Sequence, residues 1–189
     1  MIKLTRKPCP YPEKLKSDYK NKDNKKALKD SSNGKCMYCE SSIAHIDYGD
    51  VEHIKPKSKF PSETYNWDNL GYACAKCNRD YKNDSYDPDL INPYDVDPLN
   101  YIYFIGGILH AIGGNDKGRI TITVIQLNRA DLLQKRMTTL ISFQELITRF
   151  ETVENLAEKD ALKRLIEENI KENNEFSACK KAFWETTLQ

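Results

Sequence analysis

Apolar positions in the last third of the chain recur at helical spacing. Leu132, Leu133, Met137, Leu140, Ile141, Leu146 and Ile147 fall on one stripe, which predicts a helix over residues 129–150. Further amphipathic helices are expected over residues 156–170 and 176–188. Ahead of them, residues 101–105, 107–112 and 119–125 are short runs rich in β-branched and aromatic side chains. They predict three strands, with Gly113-Gly114-Asn115-Asp116 as the turn before the last. At the other end, Pro8, Pro10 and Pro12 hold the opening residues in a loop or extended arm. Residues 13–30 read as a Lys-rich helix with few apolar anchors (Leu15, Tyr19, Ala27, Leu28), stopped by Ser31-Ser32-Asn33-Gly34.

The elements define an α+β chain in four segments. Residues 1–34 are a basic arm and helix, and residues 35–84 a module bounded by cysteines. Residues 85–128 are a proline-punctuated linker with short strands, and residues 129–189 are helical. With 189 residues there is room for one domain with a sizeable core. No apolar run approaches the roughly 20 residues that span a bilayer, and the opening residues lack the apolar core of a signal peptide. The expected location is therefore cytoplasmic, where paired cysteines bind metal more often than they form disulfides. Net charge is only +1, but residues 1–35 hold eleven Lys/Arg against four Asp/Glu. Residues 151–175 reverse this, with eight acids against four bases. That polarity suits a basic end that meets nucleic acid, and it also suits two solvated helix faces.

Cysteine spacing changes the picture most. Cys36-x-x-Cys39 and Cys74-x-x-Cys77 can close a tetrahedral site for Zn²⁺, and four thiolates leave no open coordination position, so this metal would be structural. The 34 residues between Cys39 and Cys74 exceed the gap of a simple ribbon, roughly 15–20 residues. They must form a structured excursion. Cys9 and Cys179 have no such partner and read as ordinary thiols.

That excursion carries reactive groups. Residues 49–54 read as a strand that ends at Lys55-Pro56. A regular strand would send Glu52 and His53 to opposite faces, so a shared site requires a bend near His53. Asn69 precedes a second short strand. Asn78 lies near the first turn of a helix, with Lys82 one turn further along. An imidazole titrating near 6.5 is suited to take a proton from water. Mg²⁺ or Mn²⁺ held by the Glu52 carboxylate and the Asn78 amide oxygen would polarise a phosphate. Asp50, on the same strand face, could share the ion. Lys55, Lys57, Lys59, Arg79 and Lys82 would engage a phosphate backbone without reading bases. His45 is too isolated to assign, His110 reads as packed, and Trp67 and Tyr72 as core.

Glu52-His53-Ile54-x-Pro56, Asn69-Leu70-x-x-x-Cys74-x-x-Cys77-Asn78 and Lys82 resemble the HNH endonuclease family. The resemblance implies a ββα-metal fold around one catalytic divalent ion. It implies His53 as general base, Glu52 and Asn78 as ligands of that ion, Asn69 as the residue that steadies the histidine loop, and Lys82 as a phosphate contact. The family more often has Asp where Glu52 stands. Met1-Ile2-Lys3-Leu4-Thr5-Arg6, Tyr38-Cys39-Glu40 and Leu127-Asn128-Arg129 with Leu132 and Arg136 are similar to a subgroup, the nuclease subunits of Septu and retron-linked phage-defence systems. That likeness implies an ABC-type ATPase as partner. Two other readings stay open: a zinc-stabilised nucleic-acid-binding or adaptor module without catalysis, and a ribonuclease (tRNA-directed, for example) built on the same site.

Overall fold

The computed structural model describes residues 1–43 and 48–187; His45 lies outside them. The described elements are α1 (Lys22–Ser31), β1 (Asp50–His53), β2 (Leu70–Ala73), a π-helix (Lys76–Lys82), β3 (Ile102–Ile105), β4 (Ile108–Ala111), α2 (Lys117–Val124), α3 (Ala130–Thr152), α4 (Leu156–Asn169) and α5 (Ser177–Thr187). Mixed helices and two small sheets make the chain α+β. β1 pairs antiparallel with β2, Asp50 facing Ala73 and His53 facing Leu70. β3 and β4 form a second antiparallel pair, and Gly106, with φ of 55°, supplies the left-handed turn between them.

Two elements differ from the sequence expectation. The stretch read as a third strand is α2. Gly118 and Thr121 are buried and Ile125 follows fully buried, which is helical spacing. Thr121 Oγ1 accepts the Ile91 N–H at 2.9 Å, and a Cβ on Gly118 would lie 2.1 Å from the Tyr101 carbonyl oxygen. Packing has overridden the strand propensity of Ile-Thr-Ile-Thr-Val. The basic helix is also shorter than residues 13–30. A single 3₁₀ turn at Pro12–Lys14 is followed by turns, and α1 starts only where Asn21 caps the Asp23 N–H.

One hydrophobic cluster runs from Met1, Ile2 and Leu4 through Leu28, Tyr38, Leu70 and Tyr72 to Leu132 and Cys179. A smaller one unites Phe143, Ile147 and Ile166. The proline-punctuated stretch takes part, because Leu90 and Ile91 are buried and the Pro93 carbonyl accepts the Leu4 N–H at 2.8 Å. One arginine of the arm turns inward. Arg6 donates to the Trp67, Asp68 and Leu70 carbonyls and stacks 3.9 Å from the Tyr94 ring centroid. No helix among the described residues is long and apolar enough to cross a membrane.

Candidate active site and metal centre

The two Cys-x-x-Cys turns bring four thiols together. Cys36 N–H donates to the Ser41 carbonyl at 2.9 Å and Glu40 N–H to the Cys36 carbonyl at 3.0 Å, while Glu40 takes φ of 62° to close the turn. The sulfurs of Cys36, Cys39, Cys74 and Cys77 all lie within 4.8 Å of one another, and Cys39 and Cys74 are 3.9 Å apart. A tetrahedron with Zn–S bonds of about 2.3 Å has edges of about 3.8 Å, so these residues fit zinc. Arg129 Nη1 stands 3.6 Å from Cys77 Sγ and offsets thiolate charge there. Among the described residues this is the one cluster of three or more His, Cys, Asp or Glu ligand atoms.

β1 and the π-helix enclose a cleft of about 290 Å³ whose lining includes Asp50, Glu52, His53, Asn78 and Arg79. The strand ends at His53, and both Glu52 and His53 line the cleft despite their adjacent positions. Asn78 sits on the π-helix, whose wide winding shows in the Asn83 N–H donating to the Asn78 carbonyl at 2.7 Å. Its Nδ2 donates to Asp50 Oδ2 at 3.1 Å. Arg79 grips the same carboxylate through Nε and Nη2, at 2.7 and 2.6 Å.

Behind this surface lies a buried ion pair. Glu52 Oε1 is 2.7 Å from Lys82 Nζ, each side chain about 1% exposed, and it accepts the Tyr38 hydroxyl at 3.0 Å. Burial pushes the Glu52 carboxyl up to about 7, against the downward pull of Lys82 and Tyr38. Lys82 also donates to the His53 carbonyl at 2.8 Å. Lys82, expected as a phosphate contact, here places its ammonium inside the module and is not among the residues that line the cleft.

His53 Nε2 lies 3.0 Å from the Thr64 carbonyl oxygen. A carbonyl can only accept, so Nε2 carries the hydrogen and Nδ1 keeps its lone pair. Burial lowers the imidazole pKa from its ordinary value, against the upward pull of the Thr64 carbonyl and with Lys57 and Lys82 adding to the effect.

Asn69 does not line the cleft but clasps the loop after His53. Its Oδ1 accepts the Lys55 N–H at 2.7 Å, and its Nδ2 donates to the Lys55 and Glu63 carbonyls at 3.0 and 3.1 Å. Of the approach residues, Lys57 and Arg79 line the cleft, whereas Lys55 points toward Glu63 at 3.6 Å. Sequence reasoning missed Tyr38 as a partner of Glu52 and Tyr19 as a neighbour of His53. Neither stands at a spacing that local periodicity could reveal.

Two strands, a following helix and a histidine beside acidic and amide oxygens define the class. Residues 36–84 match the family model described as HNH endonuclease, so the chain carries an HNH domain. Over 138 residues, 71% of this chain and 50% of the relative, it is 38% identical to the Septu protein PtuB of Bacillus thuringiensis. It is 31% identical to the Septu protein PtuB of Bacillus mycoides (strain KBAB4) over 150 residues, 62% of this chain and 51% of that relative. The chain thus spans about half the length of the curated relatives it matches.

Proposed function

We propose that this protein is a metal-dependent endonuclease that hydrolyses phosphodiester bonds, DNA being the favoured substrate. The observation that carries the reading is the single cleft lined by His53, Glu52, Asp50 and Asn78, with the imidazole tautomer fixed by Thr64. His53 Nδ1 takes the proton from the attacking water as Nε2–H stays on the Thr64 carbonyl. Asn69 holds the loop that aims the ring. Asp50 and Asn78 would supply oxygen donors for Mg²⁺ or Mn²⁺, and Glu52 would join them by turning its carboxylate from Lys82, a set small enough to leave places for waters and phosphate oxygens. Such an ion, when bound, neutralises charge on the phosphate and on the departing oxygen. Lys82 positions Glu52, while Lys57 and Arg79 face the phosphate backbone.

The likeness to Septu PtuB supports a place as nuclease effector in an anti-phage system, Septu or retron-linked, working with a PtuA-like ABC-type ATPase. The test is cleavage of labelled DNA and RNA with Mg²⁺, Mn²⁺ or EDTA, with and without a co-encoded ATPase. Wild type should cut with either ion and not with EDTA. His53→Ala should lose at least about a hundredfold in rate, with zinc content and thermal melt unchanged. Equal cleavage by His53→Ala, or cleavage by wild type in EDTA, would refute it. Wild type that cuts neither nucleic acid under any of these conditions would favour the adaptor reading.

A further inference from the structure

We propose that Tyr19, which lies outside the HNH domain, is a positioning residue for the His53 imidazole. The kinetic arm of its test rests on the hydrolytic reading above; the structural arm does not. The Tyr19 and His53 rings meet edge to face, centroids 4.8 Å apart and planes at 74°. His53 is thus held from two directions, by the Thr64 carbonyl on Nε2 and by the Tyr19 ring. A single hydrogen bond lets an imidazole pivot about it; a ring packed against the imidazole removes that freedom.

The chain fixes Tyr19 in turn. Leu15 is buried just before it, and Asp18 Oδ1 accepts the Lys20 N–H at 3.0 Å. The Asn21 cap starts α1 directly after it. α1 is docked on the HNH domain by the fully buried Leu28 and by Lys25 Nζ, which donates to the Gly49 carbonyl at 2.7 Å beside the start of β1. Asn24, fully buried, ties the helix to the arm through both backbone groups of Tyr11, at 3.0 and 3.1 Å. Lys57 donates to the Tyr19 hydroxyl at 3.2 Å, which joins this wall to the loop that follows His53. Tyr19, Lys20 and Lys57 all line the cleft. The first segment of the chain therefore completes a site whose recognisable motif starts only at Cys36.

The experiment uses the full-length, zinc-loaded protein, wild type and the variants Tyr19→Phe and Tyr19→Ala. Nitrogen-15 spectra of His53 at pH 8 report the tautomer, and cleavage kinetics report kcat and KM. Wild type should show the Nε2–H form alone. Tyr19→Phe keeps the ring contact, so it should keep that signature and a kcat within about twofold of wild type. Tyr19→Ala should give averaged signals from both tautomers and lose about ten- to a hundredfold in kcat with KM little changed. If Tyr19→Ala melts early or loses zinc, Tyr19→Leu, which keeps bulk without the aromatic edge, carries the same comparison. An unchanged tautomer signature in the non-aromatic variant overturns the proposal, as does a rise in KM alone. Should wild type cut nothing, the hydrolytic reading fails, and the spectra alone decide the role of Tyr19.

Discussion

At the scale of single residues, Asn69 and the Glu52–Lys82 pair carry the clearest consequences. Asn69→Ala leaves the Lys55 N–H and two carbonyls without their partner. Urea denaturation should show a loss of about 2–3 kcal/mol, and a loss below about 0.5 kcal/mol would mean that water replaces the side chain. Lys82→Met leaves the Glu52 carboxylate buried without a cation, a cost of about 3–5 kcal/mol. Adding Glu52→Gln removes the orphaned charge, so the double variant should recover much of that loss in a double-mutant cycle. Strict additivity would deny that the two side chains interact. Asn69, Asn78, His53 and Glu52 were legible because their spacing to the cysteines is a local property of the chain. Lys82 was legible as a position but not as a role. Whether an ammonium points out toward phosphate or in toward a carboxylate depends on what packs behind it, and Tyr38 in the first cysteine turn is that backing.

At the scale of elements, the helices α3, α4 and α5 were readable to within a residue or two, since their apolar stripes extend over several turns. α2 was not. Eight residues, mostly β-branched and polar, carry a strand-like local preference, and tertiary packing of Gly118, Thr121 and Ile125, with Gly118 close against Tyr101, makes a helix of them. Gly118→Ala should therefore cost more than an ordinary helical substitution. The new Cβ meets backbone at Tyr101, and a loss of about 1–3 kcal/mol is expected in thermal or urea unfolding. A neutral or stabilising outcome, as Ala gives at an open helical site, would contradict this packing. The cysteine turns should behave as one element with the metal their four sulfurs fit. Exhaustive chelation should release zinc and unfold the 36–84 module, since metal binding in so small a segment is of order 10 kcal/mol of folding free energy. Retained near-ultraviolet circular dichroism after complete metal loss would show instead that protein contacts alone hold it.

At the scale of the whole molecule, the segments distinguished by sequence share one core. Glu40 makes this visible, since next to Cys39 it binds the Met1 ammonium at 2.8 Å, Lys35 Nζ at 3.3 Å and Ser177 Oγ at 2.9 Å. It is 2% exposed, and a side chain in the cysteine turn thus tethers both the arm and α5. Periodicity could not foresee such a node, because its partners lie up to 138 residues away. Hydrolysis at this site makes a comparable demand: strand and π-helix must converge on one divalent ion beside the His53 ring. Mn²⁺ titrated into zinc-loaded protein, with the His53 ring signals followed by nuclear magnetic resonance, measures that convergence directly. Stoichiometric Mn²⁺ should broaden those signals beyond detection in wild type and leave them sharp in Asn78→Ala. His53 signals that stay sharp in wild type at saturating Mn²⁺ would place the ion elsewhere and contradict the hydrolytic site.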